Sequence, residues 1–302
     1  MRNSIPYFDA HCDTLSRAAN LRENAGHLDL ARLSAFRKAA QIFAIFRSTS
    51  IRDGLTEECQ RQQMLFAQEM SRNRDLAVPC CNAAEIRQAN REGKVAALLS
   101  CEGAELMDCD PEQLDWARDA GVVSINLTWN FANELAGSNA EEPERGLSDL
   151  GRAFVRRAWE LGILIDVSHC SDAAFWDLIE MADHPVIASH SNARMLCPHR
   201  RNLTDEMFLA IARTGGVVGL NYYHAFVEPD SLVRHVEHWM ELGGERHICL
   251  GGDLDGCDSL ADGMKGVQDV PLLWEALSRR GCPEALLVDI FYNNLLRVLE
   301  TP

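Results

Sequence analysis

The tripeptide His11-Cys12-Asp13 stands at the end of the first apolar run, Ile5-Pro6-Tyr7-Phe8-Asp9-Ala10. Side chains of an extended strand alternate between faces, so the imidazole and the carboxylate are expected on one side and the thiol on the other. A nitrogen and an oxygen donor on one face begin a metal site. Alone the pair is common by chance; its weight comes from later apolar runs that also end in ligand-type residues, Glu102, His169, His190 and Asp253. Three imidazoles with a few carboxylates suit Zn2+ or a similar first-row ion better than Ca2+ or Mg2+. One ion uses three or four donors, so this set favours two. Paired cations need a bridge, and Glu102 is the candidate. His11, Asp13 and Glu102 are expected on one ion, and Glu102, His169 and His190 on the other. A hydroxide between the two ions, its pKa lowered toward neutrality, is the expected nucleophile.

Donors so far apart in the chain can meet only if the elements carrying them end at one place. Eight apolar runs read as strands, at 5–10, 41–46, 95–100, 122–127, 163–168, 186–189, 216–221 and 247–251. They lack clean alternation, as parallel strands buried on both faces do. Helical periodicity lies between them at 56–74, 111–120, 147–161, 171–181, 204–213 and 231–242. Asp110-Pro111 and Thr204-Asp205-Glu206 read as helix starts. Gly162, Gly215-Gly216 and Gly243-Gly244 read as stops just before strands. Repeated strand and helix units predict an α/β fold, a (β/α)8 TIM barrel, whose sites lie at the C-terminal ends of the strands. An open doubly wound sheet is the alternative. The tail at 283–299 is expected to add one or two helices over the outside, with Leu286, Leu287, Ile290, Leu295 and Val298 as their apolar face.

The length of 302 residues suits one barrel with additions, and no linker or low-complexity stretch divides it, so a single domain over 1–302 is expected. No leader-like apolar stretch opens the chain, and no long uncharged apolar run follows, which together predict a soluble cytoplasmic protein. Eleven scattered cysteines without a Cys-x-x-Cys pair read as reduced thiols. A formal net charge of −16 argues against nucleic-acid and anionic-membrane partners. No Gly-x-Gly-x-x-Gly, phosphate-binding Gly-Lys-Ser/Thr loop or Gly-x-Ser-x-Gly elbow is present, so nucleotide cofactors and a serine nucleophile are not expected.

Blander roles account for much of the remaining chemistry. His27, His184, His199, His224, His235, His238 and His247 read as structural or solvated, although His235 and His238 lie three apart on an expected helix. Cys12, Cys101 and Cys170 each neighbour a candidate ligand, but alternation turns them away into the packing. Glu141-Glu142-Pro143-Glu144 reads as a solvated loop.

Over nearly its whole length the chain resembles the membrane (renal) dipeptidase family of zinc peptidases, within the amidohydrolase superfamily. The resemblance rests on Asp9-Ala10-His11-Cys12-Asp13, Leu98-Leu99-Ser100-Cys101-Glu102-Gly103, Ile165-Asp166-Val167-Ser168-His169 and Pro185-Val186-Ile187-Ala188-Ser189-His190-Ser191. Arg200-Arg201-Asn202, Gly251-Gly252-Asp253-Leu254-Asp255-Gly256 and Asn294-Leu295-Leu296-Arg297-Val298 extend it. It implies a binuclear-zinc barrel that hydrolyses dipeptides, with two Zn2+ per chain on His11, Asp13, Glu102, His169 and His190. It further implies Asp253 as acid/base, Arg201 for the substrate carboxylate, Tyr223 as a site tyrosine, and tolerance of a D-residue at the substrate's C-terminal position. Where animal members carry a histidine that contacts the scissile carbonyl, this chain has Trp129, in Leu127-Thr128-Trp129-Asn130. Tryptophan offers one N–H donor and no acid or base. The resemblance thus points to a bacterial cytoplasmic form acting on small peptides, and it leaves the assembly open, a homodimer being one possibility. Trp129 keeps open an amidohydrolase acting on N-acyl amino acids or cyclic amides. A non-catalytic metal-binding barrel is a further alternative, from a different class, and a metal-dependent phosphoesterase would want more basic groups near the site.

Overall fold

The computed structural model describes residues 4–50 and 52–300; the first three residues, 51, and 301–302, with both ends of the expected 1–302 domain, lie outside the described residues. Its strands are β1 (Pro6–Cys12), β2 (Lys38–Phe46), β3 (Ala77–Pro79), β4 (Val95–Glu102), β5 (Val122–Asn126), β6 (Leu164–Asp166), β7 (Val186–Ala188), β8 (Val217–Leu220) and β9 (Ile248–Leu250). All pair in parallel, in the order β2-β1-β9-β8-β7-β6-β5-β4-β3. Pairing of β2 with β4, with Phe46 opposite Glu102, closes an eight-stranded barrel. This is the predicted (β/α)8 fold, and the closure excludes the open sheet.

The eight expected strands are the eight of the barrel. β3 has no counterpart among them; it pairs with the first residues of β4, Ala77 opposite Val95, on the edge that β5 occupies further along. Three residues ending in proline are too short to show a period. Helices Ala83–Arg91 and Val270–Arg279 are likewise additional to the expected set. The first buries only Ala83, Ile86 and Ala89, a faint apolar stripe. Asp110-Pro111 opens a turn instead of a helix: the Asp110 carboxylate accepts from the Glu112 N–H, and the helix runs Gln113–Asp119.

Elsewhere the local signals hold. Ser148, Ser171 and Thr204 cap helices by accepting from the backbone N–H of Gly151, Ala174 and Met207. Gly162, Gly215 and Gly243 take φ of 70°, 82° and 79°, the left-handed turn from helix into strand that a side chain would strain.

Packing forms two layers. One cluster draws Phe8, Ile42, Leu98, Ile187, Val217 and Cys249 from the strands. Leu98 lies four residues before Glu102 on β4, hence on the same strand face, so this cluster fills the barrel beneath the strand ends. Tyr292, Leu295, Leu296 and Val298 join it, whereas Leu287 and Ile290 belong to the layer between barrel and helices. The tail therefore divides its apolar face, sealing the foot of the barrel as well as covering the outside. Phe154, Phe175, Phe208 and Trp239 supply much of the outer layer, each worth roughly 2–3 kcal/mol of burial. Cys12, Cys101 and Cys170 also lie there, as expected, although alternation along an unbroken strand accounts only for Cys101, and all eleven cysteines are free thiols.

Candidate active site

The strand ends place every predicted donor at one mouth of the barrel. His11 is the penultimate residue of β1, and Glu102 closes β4. His169 and His190 follow β6 and β7 by three and two residues, and Asp253 follows β9 by three. The register between β1 and β2 slips between Asp9 and Cys12, and Asp13 has left the strand to open the short helix Thr14–Arg17. Simple alternation is broken there, yet His11 Nε2 and Asp13 Oδ2 still lie 3.4 Å apart.

Glu102 sits between two sets of donors. Its Oε2 is 3.6 Å from His11 Nε2, while its Oε1 is 2.9 Å from His169 Nε2 and 3.5 Å from His190 Nε2. Single ligand atoms of His11, Glu102 and His190 lie within 4.8 Å of one another, as do those of His11, Asp13 and Asp253. Both ring nitrogens of His11 and Oδ1 of Asp13 are buried with no hydrogen-bond partner among the described residues. Each such atom costs about 1–3 kcal/mol if left unmet, so the donor set fits a cation in borderline N/O coordination.

Outer contacts aim the ligand nitrogens inward. His169 Nδ1 is 2.9 Å from Asn130 Oδ1 and His190 Nδ1 is 2.7 Å from Ser189 Oγ, so with Nδ1–H donating, each Nε2 lone pair faces the cluster. His169 holds φ at 76° and Asp253 at 55°, strain that bends both turns back over the barrel mouth. Asn221 donates from Nδ2 to Asp253 Oδ2 at 3.2 Å. Gly256 permits the crowding: a Cβ there would meet Asp13 Oδ2 and Asp253 Oδ1 at 2.1 Å.

The electrostatics are those of a buried acidic cluster. Burial pushes the Glu102 carboxyl well up, with Asp13 and Asp253 adding to the rise against the His11 charge. Burial, then Asp13, lifts Asp253 to about 6. For His11 burial opposes the charged ring, but Glu102, Asp13 and Asp253 outweigh it and carry the imidazole to about 10. Burial holds His169 and His190 well below the ordinary value, with Arg201 and His11 contributing, so both are neutral ligand-ready rings.

A cavity of about 450 Å³ opens over this cluster, lined by Asp13, Glu102, His169 and Asp253 on its floor and by Trp129, Arg201, Tyr223 and Phe226 around it. Arg201 is buried, its Nη2 3.5 Å from the His190 carbonyl oxygen and its guanidinium carbon 5.5 Å from the centre of the Phe226 ring. Trp129 packs between Phe46 and Phe131 at ring separations of 5.1 and 5.7 Å, making that wall aromatic. All nine residues singled out in the sequence thus surround one site. His235 lies elsewhere and is structural, its Nδ1 accepting from the Ala193 N–H and its Nε2 donating to the Val227 carbonyl.

Asp9 and Asp166 were visible in the motifs but not as working residues. Asp9 accepts from the His11 and Gly252 N–H groups at 2.9 and 2.8 Å, and Asp166 from Ser168 and Ser189 at 2.9 and 3.0 Å. Asp9 ties the end of its own strand to the turn after β9, and Asp166 ties the turns after β6 and β7 together. Their shared signal is an aspartate whose carboxylate accepts from the N–H two residues on, the Asx pattern, near a strand end.

Residues 1–301 match the membrane dipeptidase family, peptidase family M19. The chain is 37% identical over 238 residues to the uncharacterized protein in the pqqA 5' region of Klebsiella pneumoniae, covering 73% of this chain and 87% of that one. An uncharacterized dipeptidase of Schizosaccharomyces pombe is 33% identical over 217 residues, 68% of this chain and 53% of its own. Among solved structures, the metallopeptidase dipeptidase AC superposes with a TM-score of 0.90 at 28% identity, covering 99% of this chain and 98% of its own. A metallopeptidase from Rhodobacter sphaeroides, bound to a phosphinate mimic of the dipeptide L-Ala-D-Ala, superposes with a TM-score of 0.87 at 28% identity, covering 99% of each chain.

Proposed function

Because the chain belongs to the membrane dipeptidase family, peptidase family M19, and is a metal-dependent hydrolase of the metallo-dipeptidase kind, we propose that it cleaves dipeptides with two Zn2+ ions per chain. The observation that carries this reading is the division of Glu102, one carboxylate oxygen toward His11 and the other toward His169 and His190. His11, Asp13 and Glu102 would hold one ion, and Glu102, His169 and His190 the other. Ions bound there would polarise the scissile carbonyl and make a water acidic enough to attack near neutral pH.

The protein's own groups do the rest. Arg201, desolvated in the cavity wall, offers a planar fork to the terminal carboxylate of the substrate and so fixes which bond reaches the floor. Asp253, steadied by Asn221, takes the proton from the attacking water and returns it to the leaving amine. Tyr223 borders the carboxylate end of the cavity with Phe226. Trp129 contributes an aromatic wall and no proton transfer, which leaves Asp253 as the acid/base. The substrate's C-terminal residue is proposed to be accepted in either the L or the D form; the R. sphaeroides metallopeptidase holds a mimic of L-Ala-D-Ala.

The test is hydrolysis by protein stripped with a chelator and then reloaded with measured Zn2+, on L-Ala-L-Ala, L-Ala-D-Ala and N-acetyl-alanine. Dipeptide cleavage that returns with two equivalents of zinc is the expected result. Preference for N-acetyl-alanine would replace the substrate assignment with the N-acyl amino acid alternative, and full activity at one equivalent would remove the second ion.

A further inference from the structure

At the opposite end of the barrel the chain gathers cations. Lys38 opens β2, and Phe46, eight residues on, lies opposite Glu102, so the foot is roughly 26 Å from the metal cluster at about 3.3 Å per residue. A hollow of about 560 Å³ there is bounded by Arg37 and Lys38, by Arg87 and Arg91 one turn apart on helix Ala83–Arg91, and by Tyr292 and Leu296 of the tail. No carboxylate among the described residues lines it, in a chain with 45 acidic and 29 basic residues.

Arg37, Arg87 and Arg91 are exposed around the hollow, and Lys38 is packed against its floor. Lys38 is half-buried, its Nζ 3.7 Å from the centre of the Tyr292 ring, and the Tyr292 hydroxyl donates to Asn90 Oδ1. Burial, then the charges of Arg37 and Arg87, hold the Lys38 ammonium below its ordinary pKa. Arg91 donates to the neutral Gln88 Oε1, and Arg87 reaches Glu300 outside the hollow. Like charges gathered around a hollow without a lining carboxylate repel one another, and an anion bound among them would relieve that repulsion.

We propose that this basic hollow binds a small phosphate-bearing anion, at a place separate from the metal site. Two guanidinium forks from one helix, Lys38 at the start of β2 and Arg37 just before it approach from different directions, which suits a tetrahedral dianion better than a flat, singly charged carboxylate. Leu296 and the Tyr292 ring leave an apolar floor for the rest of such a molecule.

Titration calorimetry of the zinc-loaded protein with inorganic pyrophosphate, at ionic strength matched with chloride, tests it. One saturable site that weakens with added salt is expected. Lys38→Met and Arg91→Gln, both away from the catalytic end, should each weaken it about tenfold while leaving dipeptide hydrolysis and zinc content unchanged. Absence of saturable binding overturns the proposal. So does binding that survives in both variants and inhibits hydrolysis, since the anion would then sit on the metals. Citrate binding as tightly as pyrophosphate would overturn the preference for phosphate.

Discussion

Asp253 joins strain, burial and a steadying contact from Asn221, the setting of a group held for proton transfer. Asp253→Asn keeps the shape and the Asn221 contact region but removes the base. Its kcat is expected to fall about 10²–10⁴-fold with zinc content unchanged, read by steady-state kinetics beside metal analysis. Near-normal turnover would assign the proton to another group. Glu105 shows the cost of a buried carboxyl outside the cluster. Burial pushes it from 4.5 up to about 7, offset only in part by its own N–H, the Asn133 side chain and Arg52. The unfolded chain releases this proton first, so stability falls as pH rises from 4.5 toward 7. Between pH 5 and pH 8 that group should remove on the order of 2 kcal/mol, and Glu105→Gln should lack the fall in urea denaturation at the two pH values.

Strand ends and the turns after them carry the site, and two aspartates hold those turns in register. Asp166 Oδ1 alone accepts the N–H groups of both Ser168 and Ser189, the residues just before His169 and His190. Asp166→Ala should free both turns and weaken zinc binding about 10–100-fold, measured by competition with a chelating dye. Asp166→Asn keeps an oxygen in the same place, so most of the affinity should remain. Equal losses in the two variants would mean that charge, and not the pair of hydrogen bonds, is what Asp166 supplies. Asp9 does the same for β1 and β9 through both of its oxygens, which is why His11 and Asp253 face each other across adjacent strands.

Across the molecule, a closed barrel brings one negative cluster to its mouth and leaves it needing positive charge. Without an ion, the protonated His11 ring supplies part of it, and Glu102 is driven toward its neutral form. Zinc loading at pH 7–8 should therefore expel at least one proton per chain, seen as a dependence of the binding enthalpy on buffer ionisation enthalpy. Zinc should also raise the melting temperature in a concentration-dependent way, because the donors are assembled only in the folded state. Among the described residues no helix is long and apolar enough to cross a membrane.

The amino-acid sequence alone determined the donor types, their position at strand ends, the eight barrel strands and most helix boundaries. These follow from local rules: apolar runs, caps that satisfy end N–H groups, and glycines where φ must be positive. It did not reveal β3 or helix Ala83–Arg91, whose buried faces are too small to print a period. Nor did alternation explain His11 and Asp13, because the β1 register slips at that point. What only the tertiary structure decided is which oxygen of Glu102 meets which imidazole, the Asn221 contact to Asp253, and the aromatic wall at Trp129. Those distances depend on barrel closure through β2 and β4 and on turns tied across strands, relations between residues remote in the chain that no local pattern records.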